Sequence, residues 1–78
     1  MTERAILRHH LNTAESIAPP GSQWRHEKTG GLYMIASVAL VEATLEIVVV
    51  YRSLNEEHVL TFTRPIREFL DGRFTNID

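Results

Sequence analysis

The sequence predicts a mainly β protein with one N-terminal α-helix, the sheet forming a small antiparallel barrel or a strongly curved sheet. Two observations predict it. Apolar residues recur every three or four positions as far as residue 18 and every two positions after a Pro19-Pro20-Gly21 break. The stretch LEIVVVYRSL, residues 45–54, is apolar on both faces of a strand, with Leu45, Ile47, Val49 and Tyr51 on one side and Val48 and Val50 on the other. A chain of 78 residues has little material with which to bury a strand twice, so the sheet must curl or be covered.

Each element follows from local chemistry. Leu7, Leu11, Ala14 and Ala18 form one helical stripe with Ile6 and Ile17 beside it, and Thr2 is placed to cap the helix. The first proline disfavours helical geometry at Ala18 and neither proline has an amide hydrogen, so the helix covers residues 2–18. Residues 23–27 read as a short strand, Lys28-Thr29-Gly30-Gly31 as a turn and residues 32–40 as a second strand. Residues 41–44 turn the chain into the long strand, residues 53–57 form a polar connection, and residues 58–63 a fourth strand. Pro65 ends that strand, residues 66–70 form one helical turn, and Asp71-Gly72 leads to a last short segment at 73–75. Links this short make neighbouring strands antiparallel. The whole is one domain, residues 1–78, with a β core over 22–75. One face of the long strand is expected to line the interior, the other to meet the helix stripe or a second copy of the chain, and a homodimer is the expected assembly.

Composition narrows the function classes. A net charge of −2 supplies no long-range attraction for nucleic acid or anionic lipid. The chain has no cysteine, which excludes disulfides and thiol chemistry and fits a reducing compartment. No apolar run is long enough to span a bilayer, so a cytoplasmic protein without membrane contact is expected. The histidines are His9, His10, His26 and His58, whose spacing matches no metal motif, and no metal or other cofactor is expected. The chain has no nucleophile elbow, phosphate loop or acid pair, and it is read as not an enzyme.

The candidate ligand-binding residues are Trp24, Arg25, His26, Tyr33, Tyr51, Arg52 and Arg64. Aromatic faces stack on flat groups and guanidinium forks bind carboxylate or phosphate, so together they make a mixed groove. Strand parity sends Tyr51 and Arg52 to opposite faces, so they share a ligand only at the strand's end. The competing reading keeps Trp24 and Tyr51 in the core and pairs Arg52 and Arg64 with Glu46, Glu68 or Asp71.

Trp24-Arg25-His26, Gly31 with Tyr33, Val50-Tyr51-Arg52, Arg64-Pro65 with Phe69, and the final Gly72-Arg73-Phe74 follow one another in an order that resembles the bacterial and phage family known as domain of unknown function 1653. The resemblance covers about residues 22–74 and implies a small SH3-like barrel. It brings no activity with it. The family usually carries a Trp shortly before its Arg-Pro, where this chain has Phe62-Thr63.

The expected function is a noncatalytic binding or adaptor module presenting the aromatic and Arg groove to a peptide, a protein or a small anionic ligand. Single-stranded nucleic-acid binding is the alternative that stacking and phosphate contacts permit, set back by the acidic balance. The phage members of the family add ligand sequestration as another.

Overall fold

The computed structural model describes residues 2–78. The elements run α1 (Glu3–Ile17), β1 (Gln23–His26), β2 (Leu32–Leu40), β3 (Ile47–Ser53), β4 (Thr61–Pro65), α2 (Ile66–Phe69) and β5 (Phe74–Asn76). All strand pairings are antiparallel, and the strand order is β4-β3-β2-β1-β5. The mainly β architecture with one N-terminal helix is therefore as the sequence predicts.

The Thr2 hydroxyl accepts the Ala5 amide at 3.1 Å and caps α1, as expected from its sequence position. At the other end the Ala18 amide still bonds the Ala14 carbonyl before the prolines stop the helix. A relay then anchors the break: the Trp24 indole donates to the Ser22 hydroxyl at 2.9 Å, and that hydroxyl donates to the Pro19 carbonyl at 2.6 Å. Ser22 and Trp24 are both buried. Ser22→Ala is expected to strand the indole N–H and lower stability by about 1–3 kcal/mol in urea denaturation, and an unchanged midpoint would show that the relay contributes nothing.

One face of the sheet holds the core. Leu11, Ala14 and Ala18 of the helical segment meet Trp24, Ile35, Val38, Val49, Tyr51, Phe69 and Phe74 in a single cluster. Register explains the membership. Tyr33 pairs with Ser53 and Ile35 with Tyr51, then a bulge at Ala36 shifts the register so that Val38 pairs with Val49 and Leu40 with Ile47. The extra residue changes the parity of β2, so Ile35 and Val38, three positions apart, face the same side.

Four features differ from the sequence reading. Leu45 is not in β3: it has φ 60° and lies in the turn before it, where its amide bonds the Val41 carbonyl at 2.7 Å. The fourth strand begins at Thr61 rather than residue 58, and Val59 and Leu60 are exposed. The helix stripe covers the face of Val49 and Tyr51, the side expected to line the interior. Val48, on the opposite face, lies outside that cluster among the described residues and is flanked by its register partners Ala39 and Pro65. Finally, the sheet is open: β4 and β5 are its two edges and do not pair with each other.

Candidate functional site

The open edges create a seam on the core face, and three short-range rules decide what lines it. In β4, Tyr51 pairs with Phe62 and Val49 with Arg64, so the period of two sends Phe62 and Arg64 to the core face. Across the sheet, Trp24 pairs with Tyr33, and His26 pairs with Phe74, which brings Trp24, His26 and Phe74 to that same side. The α2 turn returns the chain from β4 to β5, so the two edge strands flank the gap without filling it.

Aromatic rings form the floor. Tyr33 meets Tyr51 edge-on at 5.4 Å and Phe74 at 5.8 Å, and Tyr51 lies 5.8 Å from Phe62. Phe74 in turn stacks on the fully buried Phe69 at 4.2 Å. The result is a hollow of about 210 Å³ bounded by Tyr33, Tyr51, Phe62 and Phe74, with His26, Thr29 and Arg64 at its margin. Tyr51 and Phe74 are buried, while Tyr33 is half-buried and Phe62 exposed, so the last two offer ring surface to a ligand.

Arg64 is the group held across the seam. Its Nε lies 3.4 Å from the Tyr51 hydroxyl, its guanidinium carbon sits 5.6 Å from the centre of the Phe74 ring, and Nη1 approaches Glu68 at 3.6 Å. The Tyr51 contact, ahead of the nearby carboxylates, strengthens Arg64's hold on its proton. Burial raises the Tyr33 phenol above its ordinary value, with Glu56 adding to the effect, so this ring is a neutral hydroxyl at physiological pH.

A second, polar hollow of about 630 Å³ adjoins the first through His26 and Arg64 and is bounded by Glu27, Lys28 and residues 71–73. Its carboxylates are engaged. Glu27 pairs with Arg25 at 3.1 Å, and Asp71 pairs with Arg73 at 3.4 Å. Arg73 also binds Glu68 at 2.9 Å.

The turn between β1 and β2 shapes the margin. Thr29 Oγ1 accepts the Gly31 amide at 3.2 Å and contacts His26 Nδ1 at 3.0 Å. A Cβ on Gly31 would lie 3.1 Å from the Tyr33 ring and 3.4 Å from Thr29 Oγ1, so glycine there gives Tyr33 its place against the turn.

Of the seven candidate residues, the structure brings His26, Tyr33, Tyr51 and Arg64 together. Trp24 is buried in the core beside Phe69 at 5.0 Å and bonded to Ser22. Arg25 and Arg52 are exposed on the opposite face, where Arg25 pairs with Glu27. The sequence reading did not select Thr29, Phe62, Phe74, Lys28 or Arg73. Phe62 was legible as the residue two positions before Arg64, and Phe74 through the Gly72-Arg73-Phe74 motif; the placement of Lys28 and Arg73 depends on the curl of the sheet. Among the described residues no group of histidines and carboxylates is arranged to hold a metal ion.

No curated protein and no solved structure matches the chain. Residues 22–75 contain every side chain of both hollows and match the model of a family described as protein of unknown function, DUF1653; the chain belongs to that family.

Proposed function

We propose that the chain is a noncatalytic binding module whose seam takes a small anionic ligand with a flat part, on a fold we infer to be an SH3-like barrel opened between β4 and β5. The observation that carries this reading is Arg64, fixed by Tyr51 and Phe74 at the border between an aromatic floor and a polar mouth. A guanidinium already held in place loses less freedom on meeting an anion than a free surface side chain does. The polar groups nearby support binding over chemistry. The Thr29 hydroxyl is used to hold the turn, and His26 packs edge-on against Phe74 at 4.8 Å with Thr29 as its polar neighbour.

Titration calorimetry with benzoate and phenyl phosphate tests the reading. At least one is expected to bind the native chain, and Arg64→Ala to weaken it by roughly tenfold or more, the loss of a charged hydrogen bond. Arg52→Ala, on the opposite face, is expected to leave binding unchanged. If Arg64→Ala unfolds the chain, Arg64→Lys retains the charge but lacks the fork and is expected to bind more weakly than native. Equal binding by native and both Arg64 variants would overturn the proposal.

A further inference from the structure

We infer that the seam's ligand is a single nucleotide, a flat heteroaromatic base carrying one phosphate group, an assignment that rests on the anion-binding reading above. The two hollows differ in chemistry and meet at His26 and Arg64. The smaller has aromatic walls and suits a ring. The larger is lined by Lys28, Arg64 and Arg73 together with Glu27 and Asp71, and suits a group that meets the cations those carboxylates leave over, Lys28 and Arg64. A ligand occupying both must therefore have a flat end and an anionic end separated by a short linker.

The margin of the aromatic hollow favours a base over a plain hydrocarbon ring. His26 and Thr29 are engaged with each other and with the turn, but Tyr33 and Tyr51, which also line the hollow, each keep a hydroxyl proton to donate, so a ring edge bearing acceptors finds partners that a phenyl ring does not use. The ring faces of Tyr33 and Phe62 supply stacking, which any base accepts.

Charge at the mouth favours phosphate over carboxylate. Glu27 is taken up by Arg25, while Asp71 and Glu68 both converge on Arg73, and Lys28 makes no ion pair among the described residues. Arg64 approaches its own carboxylate partner, Glu68, at 3.6 Å, a longer contact than the 2.9 Å between Glu68 and Arg73. A phosphate accepts from the Arg64 fork and the Lys28 ammonium together, whereas a carboxylate offers fewer oxygens for two cations.

Size and field favour one nucleotide over a strand. Proteins that hold single strands use several stacking platforms along a basic groove. Here one aromatic hollow of about 210 Å³ is present at the seam, in a chain of net charge −2.

The test is titration calorimetry on the full chain with the 5′-monophosphates of adenosine, guanosine, cytidine and uridine, their four nucleosides, inorganic phosphate, and a ten-residue oligothymidylate. The expected result is binding of at least one monophosphate, with its nucleoside and inorganic phosphate each roughly tenfold weaker or more, as a charged hydrogen bond implies. Lys28→Ala, on the exposed turn, is expected to weaken the monophosphate while leaving the nucleoside and the unfolding midpoint unchanged. Equal affinity for nucleoside and monophosphate would overturn the phosphate assignment. Tighter binding of the oligothymidylate per molecule, falling steeply with salt, would replace the single nucleotide with a strand. If benzoate or phenyl phosphate binds through Arg64 and no nucleotide does, the nucleotide inference fails while the anion-site reading stands; if nothing binds, both fail.

Discussion

Phe69→Ala is expected to lower the unfolding free energy by about 3–5 kcal/mol, the usual cost of removing a buried phenyl group. The side chain is fully buried at the centre of the aromatic cluster, stacked on Phe74 at 4.2 Å and edge-on to Trp24 at 5.0 Å and Tyr51 at 5.2 Å. The loss should be near the upper part of that range, because the cavity left behind is bounded by large flat rings and by the backbone of a four-residue helix that has few ways to collapse inward. Domains of this size have total stabilities of roughly 5–15 kcal/mol, so the variant would lie close to the unfolding threshold at room temperature. Urea denaturation followed by Trp24 fluorescence measures it. A loss below about 1 kcal/mol would mean that α2 is not part of the core, contrary to its place in the cluster.

The second large effect is expected at Leu11→Asp. Leu11 is buried against the sheet together with Ala14 and Ala18, and these three residues are the contribution of the helical segment to the core. Removing the leucine costs about 2–5 kcal/mol for Leu→Ala, and a carboxylate in its place adds the penalty of an unpaired charge. The helix must then either leave the sheet, which exposes Val38 and Val49, or stay and bury that charge, and both outcomes cost stability. The control is on the same helix. Ile6 is 41% exposed, so Ile6→Asp should change stability by no more than about 0.5 kcal/mol. Matched denaturation curves for the two variants decide the matter: equal shifts would show that the helix has no buried side, and the account of the core would fail.

The contrast between Leu11 and Ile6 also shows how far periodicity carries. The stripe Leu7, Leu11, Ala14, Ala18 is legible because an α-helix repeats its faces every three to four residues regardless of what lies opposite. Thr2 as a cap and the prolines as a stop are equally local, and the structure has both. Strand existence and order in a meander are nearly as local, since short links leave antiparallel neighbours as the available arrangement. Strand ends are less so. Leu45 belongs by composition to β3, yet its φ of 60° places it in the preceding turn. Residues 58–60 lead without a turn signal into the alternation Leu60-Thr61-Phe62-Thr63, but register starts at the pairing of Arg52 with Thr61.

At the candidate site, strand parity alone separates Tyr51 from Arg52, and the two lie on opposite faces, with Tyr51 buried and Arg52 exposed. The same rule applied to β1 separates Arg25 from Trp24 and His26. What parity does not specify is which candidates meet. Tyr33 and Arg64 belong to strands that are separated by β3, and Arg64 and Phe74 belong to opposite edges of the sheet. Their proximity depends on how strongly the sheet curls, a sum of small twists over five strands that no single segment encodes.

By itself, the sequence determined the helix with its cap and stop, the meander that follows, and the two-sided apolar character of β3, because each rests on interactions within a few residues along the chain. Tertiary structure alone decided which face of β3 the helix covers, that the bulge at Ala36 turns both Ile35 and Val38 inward, and that the sheet stays open between β4 and β5. These are contests between distant segments for the same apolar surface, and they are settled by packing and register, which pairwise spacing along the chain does not contain.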